Sequence, residues 1–101
     1  MSHPQNNGGT WDVHCSVAVS NTLKELQHEA TLQGRGELVL AALRQIIHRL
    51  KHDPDGLGEP LYRLPALRMQ IRSGIIPPLA VLFGVCEDRP IVFIRRVRLM
   101  A

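Results

Sequence analysis

The stretch 58–100, GEPLYRLPALRMQIRSGIIPPLAVLFGVCEDRPIVFIRRVRLM, constrains the fold of this chain more than any other. Three strand-like runs can be cut from it. Residues 67–75 set Leu67, Met69 and Ile71 against Arg68, Gln70 and Arg72, while 79–86 and 91–100 are rich in Val, Ile, Leu and Phe. Apolar, β-branched runs of this length, bounded by Gly, Pro and Asp, predict strands. The break Glu87-Asp88-Arg89-Pro90 is short and polar and predicts a hairpin. Pro77-Pro78 parts the first two runs, and because proline brings no N–H it predicts an interrupted ladder there. The expected unit is a three-strand antiparallel meander with arginines on its outer strands.

Upstream, residues 11–19 alternate: Trp11, Val13, Cys15, Val17 and Val19 against Asp12, His14, Ser16 and Ala18. Period-two alternation predicts a half-buried strand with His14 on its wet face. Thr22-Leu23-Lys24-Glu25 has the form of a capping box and predicts a first helix over 22–33, with Leu23, Leu26 and Ala30 inward and Gly34 as its stop. A second helix is predicted over 37–52, where Val39, Leu43, Ile46, Ile47 and Leu50 share one face. Asp53-Pro54-Asp55-Gly56 ends it with turn chemistry. The predicted fold is α+β: strand, helix, helix, then the meander. A helical hairpin covers one face of a four-strand sheet, the last strand is interior and the first lies beside it.

Size and charge narrow the classes. The chain of 101 residues suits one domain, expected over 11–101 behind a polar, glycine-rich disordered leader at 1–10. Lys plus Arg is 12 against 9 for Asp plus Glu, and all of the basic residues but Lys24 and Lys51 are arginine, a bias that suits bidentate pairing with phosphate or carboxylate. Cys15 and Cys86 show no C-x-x-C spacing and lie in apolar runs, so buried, reduced thiols in a cytoplasmic protein are expected. No apolar run approaches membrane-spanning length, and no membrane contact is expected. His48 and His52 stand one helical turn apart without an evident third ligand, which reads as helix surface rather than a metal site. No Gly-rich phosphate loop or nucleophile elbow appears, and no cofactor is expected.

The arginines carry the candidate site. Arg96 and Arg98 share a face of the last strand, Arg95 is expected on the other side, and Arg68 and Arg72 are expected to share a face of theirs. The two pairs would line one surface as a basic groove; arginines that merely protect sheet edges are the alternative.

The order of elements and the wording of the second half resemble the RelE/ParE superfamily of toxins from type II toxin–antitoxin systems. The residues that carry the likeness are Gly58-Glu59-Pro60-Leu61, Leu67-Arg68, Gln70-Ile71-Arg72-Ser73, Val81-Leu82-Phe83-Gly84-Val85, Glu87-Asp88 and Ile91-Val92-Phe93-Ile94, in that order. The resemblance implies a cognate antitoxin as partner, and as target either the ribosome with its mRNA or DNA gyrase. RelE-like members are similar to ribosome-dependent endoribonucleases, for which Arg72, Arg96 and Arg98 would be the catalytic cations and Arg68, Arg72, Arg96 and Arg98 the binding set. The chain departs from that pattern at Pro77-Pro78-Leu79-Ala80, where a second arginine is expected, and at Leu99-Met100-Ala101, where a Tyr or His is common. The resemblance thus implies a toxin-like protein that acts by binding a target. An RNA-cleaving enzyme and a non-toxic binding module on the same fold remain the alternatives.

Overall fold

The computed structural model describes residues 10–100; the expected leader, Thr10 apart, lies outside them. The elements are β1 (Asp12–Cys15), α1 (Val17–Leu32), α2 (Gly36–His52), β2 (Glu59–Leu64), β3 (Met69–Ile76), β4 (Leu79–Cys86) and β5 (Ile91–Leu99), with short 3₁₀ turns at Pro54–Gly56 and Pro65–Leu67. They form an α+β domain with a five-stranded sheet in the order β1-β5-β4-β3-β2. β1 runs parallel to β5, and the other neighbours are antiparallel. The last strand is interior and the first lies beside it. A fifth strand, β2, extends the expected four. Pro60 fits because β2 is an edge strand, where a missing N–H costs no ladder bond on the solvent side.

The strand expected over 11–19 is shorter, and the first helix starts five residues before Thr22. Val19, Leu23, Leu26 and Ala30 already lie at helical spacing, a period that competes with the alternation from Trp11. Ser16 settles the boundary: its backbone is extended, and its hydroxyl accepts from the Val19 N–H at 3.1 Å. Thr22 caps nothing, its hydroxyl donating back to the Ala18 carbonyl. As a result Val17 is exposed at the head of α1, and Cys15 is exposed rather than buried. At the other end Gly34 takes a positive φ of 76°. The Arg35 N–H then reaches the Ala30 carbonyl and the Gly34 N–H the Thr31 carbonyl, a Schellman closure.

Both helices lie on one face of the sheet. Leu26 and Ala30 of α1 and Val39, Ala42, Ile46 and Leu50 of α2 are buried against Leu79, Val81, Phe83 and Val85 of β4 and Val92, Ile94 and Val97 of β5. Ile46 is at the centre of this core, whereas Leu43, expected equally deep, is only partly buried at its margin. Pro77-Pro78 does not interrupt the ladder. The pairing of β3 with β4 is regular from Met69–Cys86 to Ile76–Leu79, and the two prolines form the turn itself, outside the paired residues. Leu67 and Arg68 fall outside β3, in the turn that precedes it, with Arg68 in the left-handed region.

Candidate binding face

Register assigns each sheet side chain to a face, since directly opposed residues point the same way. Phe83 belongs to the core under the helices, and Arg72 pairs with Phe83, so Arg72 projects to the covered face. It is 8 % exposed. Its guanidinium donates to three backbone carbonyls of the loop between α2 and β2: Asp55 at 2.7 Å, Gly58 at 3.1 Å and Leu57 at 3.4 Å. The loop can lie this close because Gly58, at φ 67°, has no Cβ to meet the Ser73 carbonyl. Leu57 is buried against Gly74. Arg72 is a fastener that ties the loop to the sheet.

Arg96 pairs with Leu82 and Arg98 with Ala80, and both project to the open face, which no helix covers. With Ser73, Ala80 and Leu82 they line a shallow hollow of about 140 Å³. Between Ile94, opposite Phe83, and Arg96, opposite Leu82, the register shifts by one residue. Arg95 is the extra residue. A bulge of this kind re-aims side chains, and Arg95 lines a larger concavity on the open side together with Met69, Cys86 and Phe93. The alternation that would send Arg95 to the opposite face is broken at that point, so Arg95, Arg96 and Arg98 form one basic strip.

The expected pairing of Arg68 with Arg72 does not occur. Arg68 sits in the turn before β3, 3.9 Å from Asp88. Among the described residues the ion pairs gather at the β4–β5 turn: Arg63 with Glu87, and Arg68 and Arg89 with Asp88, each of the latter two at 3.9 Å. The Arg63–Glu87 pair is two-pronged, with the second prong at 2.7 Å. It holds the Glu87 carboxyl below the usual carboxylate range and raises Arg63 further. Arg95, Arg96 and Arg98 have no carboxylate within 4.0 Å among the described residues. The structure therefore separates the four arginines singled out in the sequence: Arg96 and Arg98 together, Arg68 at the rim, Arg72 on the far side.

Apolar residues floor the same open face. Met69, Ile71 and Cys86 form a second, small cluster with Leu64, Leu82, Ile91 and Phe93 around it. Phe93 meets the ring of His14 across the β1–β5 pair at 5.5 Å between centroids. On the opposite side of the molecule the rings of His48 and His52 lie 4.5 Å apart and tilted on α2, and among the described residues no third metal-ligating group joins them. No helix among the described residues is long and apolar enough to cross a membrane.

No protein-family model, curated protein or solved structure matches the chain. The functional reading therefore stands on the residues, the element order and this face.

Proposed function

We propose that the chain is a toxin-like protein of the RelE/ParE type that binds an anionic target through the open face of its sheet and is held silent in the cytoplasm by a cognate antitoxin. The observation that carries this reading is the strip Arg95, Arg96 and Arg98, drawn to one side by the bulge and left without carboxylate partners. On a strand, i and i+2 positions repeat about every 6.7 Å, so Arg96 and Arg98 present cations at a regular step to phosphate or carboxylate. The element order, strand, helix, helix and meander, agrees with the one the resemblance implies, except that the meander has four strands, β2 to β5, where three were expected.

Binding is favoured over RNA cleavage by the position of Arg72. Phosphoryl chemistry needs several cations converging within hydrogen-bond reach of one phosphate. The guanidinium of Arg72 is committed to carbonyls on the face opposite Arg96 and Arg98. The ribosome with its mRNA and DNA gyrase are the two targets to be distinguished.

The test is induction of the protein without a partner. Growth arrest is expected, with cellular mRNA intact. An Arg96→Ala/Arg98→Ala double variant should lose the arrest while keeping its thermal midpoint. Ribosome-phased mRNA cleavage that vanishes in the double variant would assign the same face to a nuclease instead; growth unaffected by the wild-type protein would remove the toxin reading.

A further inference from the structure

The larger concavity on the open face meets the basic strip at Arg95 and leaves Arg96 and Arg98 outside it. It measures about 530 Å³, within the range of small-ligand sites. Its floor is apolar: Leu67, Met69, Cys86 and Phe93 line it, with Ile94 and Val19 at the α1 side. Two arginines stand among these residues. Arg89 lies beside the Cys86 thiol, and Arg95 is the residue the bulge turns outward. Arg89 is only partly neutralised and Arg95 not at all. Asp88 approaches Arg89 only to 3.9 Å and shares itself with Arg68, and Arg95 has no acid within 4.0 Å among the described residues. The start of α1 at Ser16 also borders the concavity, and its first turn carries no acidic residue. Apolar walls with two guanidinium groups among them complement an aliphatic or aromatic tail ending in a carboxylate.

We infer that this concavity is a binding site for a free amphipathic monocarboxylate, its tail laid over Leu67, Met69 and Phe93 and its carboxylate held by Arg89 and Arg95. The site shares Arg95 with the basic strip but uses neither Arg96 nor Arg98, the two residues on which the growth test rests. Burial raises the Cys86 thiol, which makes it a slow but still reactive group. It serves as a reporter of what covers it.

The experiment uses the full chain and sodium octanoate, with 1-octanol as the uncharged probe of matched tail. Calorimetric titration should give a dissociation constant for octanoate on the order of 0.1–1 mM, and octanol should bind at least about tenfold more weakly. Leu67 is 57 % exposed and can be changed without opening the core. Leu67→Glu should abolish octanoate binding with the fold intact by circular dichroism, and Arg89→Ala/Arg95→Ala should equalise octanoate and octanol. In a Cys15→Ser background, octanoate should slow the reaction of Cys86 with a small disulfide reagent in proportion to occupancy. Equal affinity for octanoate and octanol in the wild-type chain, binding unchanged by Leu67→Glu, no binding at about tenfold above that range, or Cys86 reactivity indifferent to octanoate would each overturn the assignment. These outcomes are read from ligand binding with Arg96 and Arg98 intact, and the growth test changes only Arg96 and Arg98, so this site and the toxin reading fail separately.

Discussion

Arg72 and Arg96 flank the same strand, opposite Phe83 and Leu82 of β4, one under the helices and one in water. Under the helices a guanidinium loses its hydration and must recover it from the protein, which three loop carbonyls provide. In water Arg96 needs no such partners and has none within ion-pair distance among the described residues. One residue type thus does two kinds of work, and the face decides which. A buried arginine with saturated donors holds a loop; an exposed one with idle donors is available to something else.

The comparison between faces is tested most severely by paired isoleucines. Ile46 is fully buried on the covered side, and Ile75 is half exposed on the open side. Ile46→Ala should cost about 4 kcal/mol in urea denaturation, because a rigid core relaxes only partly around the missing atoms. Ile75→Ala should cost under about 0.5 kcal/mol. Leu43→Ala should fall between them, at about 1–2 kcal/mol, since Leu43 sits at the margin of the helix–sheet core. Similar losses at Ile46 and Ile75 would show that the open face is covered in solution, for example by a second copy.

The arginines sharpen the same contrast at smaller scale. Arg72→Ala should cost about 3 kcal/mol, because the variant leaves buried and half-buried loop carbonyls without a donor. Arg96→Ala should stay within about 0.5 kcal/mol of the wild type. Loss of growth arrest in an Arg72 variant therefore reports on folding, and chemistry at this protein has to be tested at Arg96 and Arg98. An Arg72→Ala protein as stable as wild type would reopen its place in the binding set.

How far these features can be read from the residues depends on whether a local period has a competitor. β4, β5 and α2 have none. Their apolar patterns are dense, they are bounded by Gly, Pro and Asp, and their expected positions hold to within a residue or two. At 11–19 two periods coexist, and one hydroxyl, that of Ser16, decided between them. β2 holds one backbone-breaking signal, Pro60, and abuts another, Pro65, with little apolar alternation, because an edge strand exposed along 59–63 asks for none. The site is harder. Face assignment by counting works for Arg96 with Arg98, but a single bulge residue reverses the parity for Arg95, and the sequence offers no mark for it. Arg72 carried one available clue: with Asp55-Gly56-Leu57-Gly58 upstream, a loop of free carbonyls was near enough in sequence to claim it.

The smallest effect lies in the third class of arginine, neither buried nor idle. Arg63 of β2 is paired with Glu87 at the start of the β4–β5 turn and fastens the edge strand to the meander. Both side chains remain in contact with water, so screening keeps the contribution slight. Its pH dependence nevertheless has a definite sign. The hydrogen bond from Arg63 lowers the folded-state carboxyl of Glu87, while arginine stays charged throughout. The stabilisation is therefore fully present above the unfolded glutamate value of about 4.3 and disappears as the pH falls through the lower folded value. Thermal midpoints of the wild type should lie slightly above those of Glu87→Gln at neutral pH, and the gap should close in acid. Raising the salt concentration at neutral pH should narrow it as well. The backbone N–H of residue 87 keeps its 2.8 Å bond to the Arg68 carbonyl in the variant, so the turn itself is unaltered. A gap that stays constant from neutral pH into acid would mean that the carboxylate charge contributes nothing, and that Arg63 holds β2 by packing alone.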